Sequence, residues 1–217
     1  MPSTDLVALV ATELRNRLKN AESGHDWWHV QRAWRVAETI QRSEGGDATI
    51  VSLGALLHDI ADWKFHDGDE DAGPNAAREL LTSLGAPEKI IKAVVEIVEH
   101  ISFKGAGVAS TMQSLEGKIV QDADRLDALG AMGIARAFSY GGFRNRLMYD
   151  PDVPPTLHAT SEAYKKSTGT TINHFYEKLL LLKDRMNTET GKRLAEQRHQ
   201  FLEKYLEEFF AEWNGTV

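Results

Sequence analysis

The stretch GALLHDIADW, residues 54–63, decides how the rest of the chain is read. Leu53, Ala55, Leu56 and Leu57 lead straight into His58 and Asp59, and Ile60, Ala61 and Trp63 follow. The segment reads as buried, yet it places an imidazole and a carboxylate side by side. An isolated buried carboxylate costs several kcal/mol unless it is paired or faces a cation. The partner has to come from elsewhere in the chain.

Composition narrows the choice. The 217 residues are 42% hydrophobic and 26% charged, the proportions of a soluble globular protein, and one domain is the default for this length. There is no cysteine, which removes disulfides, thiolate metal sites and cysteine nucleophiles together. The net charge of −7 argues against binding duplex nucleic acid, which needs a basic surface. Neither a signal peptide nor a membrane span of roughly 20 apolar residues is legible, so a cytoplasmic setting is expected.

Helical periodicity predicts helices over residues 4–20, 27–43, 48–61, 74–84, 87–101, 115–138, 170–186 and 189–213, with almost no strand signal. The fold class expected is all-α. EGGD at 44–47 should end one helix and let Asp47 cap the next, while Pro74 and Pro87 should sit at helix starts. Residues 139–155, SYGGFRNRLMYDPDVPP, form the longest stretch expected to be irregular.

Three helical segments carry chemistry. In SGHDWWHVQRAWRVAETI, residues 23–40, His29 falls on the inward stripe with Ala33, Val36 and Ile40, and His25 lies one turn earlier. Such a histidine is either a hydrogen-bonded core residue or a ligand. His58-Asp59 is the second segment; neighbours on a helix diverge by about 100° but converge on one ion at a helix rim. The third is KIVQDADRLDALGAMG, residues 118–133, where Asp124 and Asp127 share a face with Val120, Ala128 and Ala131. The plain alternative there is a solvated acidic run, disfavoured by the surrounding Ile119, Leu126, Leu129 and Met132. Together the segments offer His29, His58, Asp59 and Asp124, a sulfur-free N/O donor set suited to Mn²⁺, Fe²⁺, Mg²⁺, Ni²⁺ or Zn²⁺.

The order His…His-Asp…Asp resembles the HD superfamily of metal-dependent phosphohydrolases. The strings GHDWWHVQR, LLHDIADWK, EHISFKG, QDADRLDALGA and TTINHFYEKLLLLKDRMNTETGK are similar to a subfamily of small bacterial HD proteins. That subfamily includes manganese-dependent deoxynucleoside triphosphate pyrophosphohydrolases. The likeness runs from about His25 to Phe210. It implies a single HD-type helical bundle over residues 1–217, with the metal-binding core at about 20–135 and appended C-terminal helices at about 156–214. It implies His29, His58, Asp59 and Asp124 as metal ligands, Mn²⁺ as the first choice of ion, and Asp62 as the residue that orients or deprotonates the attacking water.

His25 and His100 are expected to face the ligand shell or the substrate. Lys64, Lys104, Arg144, Arg146, His174 and Lys178 are expected to hold phosphates, Arg by bidentate contact and Lys as a point charge. Tyr140 and Phe143 are candidates for stacking a base. Trp27, Trp28, Trp34 and Trp63 read mainly as packing around the metal segments. Residues 201–213 read as an amphipathic packing helix and a candidate homodimer contact. The activity implied is hydrolysis of (deoxy)nucleoside triphosphates to monophosphate and pyrophosphate. The alternatives are another nucleotide substrate, a monophosphate or (p)ppGpp, and a nucleotide- or metal-binding sensor without turnover.

Overall fold

The computed structural model describes residues 3–20, 26–61, 71–101, 110–157 and 169–217. Among these there are nine α-helices and no strand: α1 Ser3–Arg17, α2 Trp27–Glu44, α3 Ala48–Leu57, α4 Ala72–Ser83, α5 Glu88–His100, α6 Leu115–Asp127, α7 Gly130–Phe143, α8 Thr171–Glu177 and α9 Glu189–Trp213. The all-α expectation holds. No helix among the described residues is long and apolar enough to cross a membrane.

The described residues divide into two compact units, one running to Asp124 and the other from Arg125 to Val217. In the first unit α3 is the central helix, because every residue from Ile50 to Leu57 is buried. A helix that is apolar all round needs neighbours on all sides, and α1, α2 and α5 pack on it. Gly54 permits a close approach: a Cβ there would stand 3.1 Å from Ile97 of α5 and 3.3 Å from Val120 of α6. The start of α3 follows the sequence, since the Asp47 carboxylate accepts the amides of Thr49 and Ile50. Gly45 ends α2 at φ 86°, a conformation that suits glycine.

Four helix expectations need correction. α3 stops at Leu57 rather than at residue 61: Ile60 donates back to the Leu57 carbonyl, a tight turn that releases His58 and Asp59 from the helix. The span 115–138 is two helices, broken where Leu129 is extended and Gly130 takes φ 66°. The span 170–186 is only α8 followed by two 3₁₀ turns, Leu179–Leu181 and Lys183–Arg185. A 3₁₀ turn aligns residues three apart, which lets Leu179 and Leu182 bury together. Finally, residues 139–143 close α7, so Tyr140 and Phe143 are helical and the irregular stretch begins after them.

The second unit is built around aromatic contacts. Phe138 of α7 and Phe175 of α8 both meet Tyr205 of α9, at centroid distances of 6.1 and 5.9 Å. Asp127 is buried and ion-paired with Arg136 of α7. Arg198 of α9 donates to the Leu126 carbonyl, and burial holds its guanidinium below its ordinary pKa against the opposing pull of Asp127.

Candidate metal centre

Asp26 caps α2, its carboxylate accepting the amide of His29 at 2.9 Å. The cap fixes the first turn of the helix, and the inward stripe then carries His29 into the core, where it is 1% exposed. His58 follows the last residue of α3 and remains buried. Its Nδ1 lies 2.8 Å from the carbonyl oxygen of Ala55. A carbonyl can only accept, so Nδ1 carries the proton and Nε2 presents its lone pair.

The donor atoms converge. His29 Nε2 and His58 Nε2 are 3.1 Å apart, with the rings at 76° to one another. Asp59 Oδ2 lies 3.3 Å from the first and 3.5 Å from the second. Asp124 Oδ1 lies 3.5 and 3.7 Å from the same two nitrogens. The tightest set is His29, His58 and Asp59, each able to offer one atom within 4.8 Å of the others; Asp124 reaches it through the imidazoles.

The spacing can be tested against a cation. Donors about 2.1 Å from one ion stand about 3.0 Å apart in octahedral and about 3.4 Å apart in tetrahedral coordination. The separations among His29, His58 and Asp59, 3.1–3.5 Å, lie close to that range, and those to Asp124, 3.5 and 3.7 Å, stand beyond it. A proton donated to a backbone carbonyl from the far ring nitrogen is also how ligating histidines are commonly oriented. The residues therefore fit a divalent ion, and His29, His58 and Asp59 form a candidate site for one.

His58 and Asp59 are not carried on a helix, as the sequence suggested. His58 and Asp59 sit together in the turn after α3, and leaving the helix is what frees two adjacent side chains to converge. Asp127, on the face expected to hold Asp124, turns instead to Arg136. Asp122, also in the acidic run, is wholly buried.

Other expected site residues are distributed as follows. His25, Asp62, Lys64 and Lys104 lie outside the described residues, as does Trp63. His100 ends α5 in the first unit, half-buried. Arg144, Arg146, His174 and Lys178 belong to the second unit. Arg144 is exposed at the end of α7, and the Arg146 guanidinium stands 5.8 Å over the Tyr140 ring. His174 lies on α8 and Lys178 directly follows it. Trp27 is buried, whereas Trp28 is exposed.

Two residues went unnoticed in the sequence. Asp26 carried a readable signal, an acidic residue just before an amphipathic helix. Gln121, buried beside the acidic run, carried none; its role depends on contacts 11 to 21 residues away.

Comparison with known proteins agrees with this geometry. Residues 27–129 match the HD domain family. The chain is 37% identical over 198 residues to the Bacillus subtilis protein YpgQ, covering 91% of this chain and 88% of that one. A Lactobacillus plantarum crystal structure superposes with a TM-score of 0.87 at 37% identity, over 99% of each chain. An HD-superfamily hydrolase from Bacillus thuringiensis does so with a TM-score of 0.76 at 41% identity, over 98% of each chain. The crystal structure of YpgQ in complex with ADP gives 0.73 at 34% identity, over 93% of this chain and 97% of that chain.

Proposed function

This chain belongs to the HD superfamily of metal-dependent phosphohydrolases, and we propose that it hydrolyses (deoxy)nucleoside triphosphates to the monophosphate and pyrophosphate. The observation that carries the reading is the convergence of two imidazole nitrogens and the Asp59 carboxylate, with Asp124 Oδ1 3.5 and 3.7 Å from the same two nitrogens. A nucleotide as substrate is supported by the relative crystallised with ADP.

In this reading His29, His58, Asp59 and Asp124 hold one divalent cation, Mn²⁺ before Mg²⁺, Ni²⁺, Fe²⁺ or Zn²⁺. Such a cation lowers the pKa of a coordinated water and neutralises charge on phosphoryl oxygens. The chain's own part is positioning and proton transfer. Asp62 accepts a proton as the water oxygen bonds to the α-phosphorus and the bond to the bridging oxygen breaks, releasing pyrophosphate. In the same reading His25 and His100 serve the ligand shell or the substrate. Lys64, Lys104, Arg144, Arg146, His174 and Lys178 are the candidate cations for the phosphates, where charge builds on the leaving group. The buried ring of His29 and the Nδ1 bond of His58 hold both imidazoles fixed, so no reorganisation is needed when charge develops.

Phosphorus NMR tests the proposal. Chelator-stripped protein is reloaded with Mn²⁺ and given dNTPs, NTPs, monophosphates and (p)ppGpp, beside an Asp59→Ala sample. Pyrophosphate from triphosphates, absent with Asp59→Ala, is the expected result. Orthophosphate alone, or cleavage of only the monophosphates or (p)ppGpp, moves the scissile bond or the substrate. Binding of nucleotide with no turnover of any compound replaces the enzyme with a sensor.

A further inference from the structure

Asp124 is the proposed ligand held least by its surroundings. His58 is anchored by the Ala55 carbonyl and the amide of His29 by Asp26. The Asp124 side chain is 35% exposed, and the described residues engage its carboxylate only through the two imidazoles. Its position therefore depends on how α6 itself is fixed.

Gln121 lies one turn before Asp124 on α6 and is 1% exposed. Its amide nitrogen donates to the carbonyls of His100 and Ile101, each at 3.3 Å. Its oxygen accepts the Ser110 hydroxyl at 3.0 Å. His100 ends α5 and Ile101 caps it, so these carbonyls belong to the helix end that lacks intrahelical donors. One side chain thus caps α5 from α6 and ties down the approach to α6 as well. Apolar packing at this depth is non-directional and would leave the rotation and axial position of α6 less determined. The hydrogen bonds are directional and fix both.

We propose that Gln121 is a positioning residue: by tying α6 to the end of α5 and to Ser110, it sets the Asp124 carboxylate against His29 and His58 and so tunes affinity for the cation. The inference rests on the metal reading above. It also couples the helix end that carries His100 to the ligand on the next helix.

The test is Mn²⁺ binding to the stripped full chain, followed by electron paramagnetic resonance, with circular dichroism giving the folded fraction. Gln121→Met should weaken Mn²⁺ binding about tenfold per folded molecule, the lower range for residues that orient a ligand. Ser110→Ala removes one of the bonds without touching α6 and should weaken binding in the same direction, by less. Wild-type affinity in both folded variants, whatever their melting temperatures, overturns the proposal. If Gln121→Met does not fold, Ser110→Ala decides alone. If the wild-type protein takes up no Mn²⁺, the metal reading itself fails and this inference falls with it.

Discussion

His29 and His58, 29 residues apart in the chain, bring their Nε2 atoms to 3.1 Å of one another inside the first unit. With the His58 proton committed to Ala55, a lone pair from that ring faces the His29 nitrogen, and that nitrogen has an Asp59 oxygen at 3.3 Å and an Asp124 oxygen at 3.5 Å. Four electron-rich atoms this close favour a bound cation over an empty site. Binding to the folded chain alone stabilises it by about 2.7 kcal/mol when the free ion is a hundredfold above its dissociation constant. For a chain of this length that is a rise of roughly 5–10 °C in Tm. Chelation should lower Tm by this amount and Mn²⁺ should restore it. Identical melting curves with and without chelator would refute the metal site.

Asp124 offers a cleaner probe of the site than either histidine. Its side chain is partly exposed, so Asp124→Asn keeps the shape and opens no cavity. The stripped variant should melt within about 2 °C of the stripped wild type, since changes at such positions stay near ±0.5 kcal/mol. Its Mn²⁺ affinity should fall by a factor on the order of 10–100, and turnover with it. Calorimetric titration of Mn²⁺ reads the first effect directly. A variant that binds Mn²⁺ like the wild type would remove Asp124 from the ligand set.

The sequence revealed the helices through apolar periodicity, and the donor set through polar residues placed where that periodicity demanded apolar ones. His29 was legible because Ala33 and Ile40 share its buried stripe. What escaped was set by packing and by backbone turns. The periodicity continues past Leu57, so nothing local announced that His58 and Asp59 leave the helix. Likewise the apolar run after Lys178 suits an α-helix, but burying Leu179 and Leu182 together selected a 3₁₀ turn. The partners of Gln121 and Asp127 lie on other helices, and no window of sequence contains them.

Asp26 links folding to the site through one hydrogen bond, because the amide it caps is that of His29. Losing an N-cap carboxylate costs about 1 kcal/mol, or roughly 2–4 °C in Tm for a chain of this size. Asp26→Ala should show that loss in stripped protein. It should also weaken Mn²⁺ binding, because the first turn of α2 is the part released. Asp26→Ser retains a capping oxygen and should recover both. Recovery of stability without recovery of affinity would separate the cap from the placement of His29.

Asp127 and Arg136 are the acidic run's other outcome, a pair held for structure. The carboxylate is almost wholly buried while the guanidinium is partly exposed, so the two substitutions are not equivalent. Arg136→Met strips a buried carboxylate of this cation and should destabilise by about 3 kcal/mol, some 6–12 °C in Tm. Adding Asp127→Leu removes the buried charge as well, and the double variant should melt above the single one, because replacing both members of such a pair with apolar groups is close to neutral. Both should bind Mn²⁺ like the wild type, since the pair belongs to the second unit and the donor set to the first. Thermal unfolding and Mn²⁺ titration on the same samples decide the matter. Loss of Mn²⁺ affinity in the folded double variant would mean that Asp127 serves the site after all.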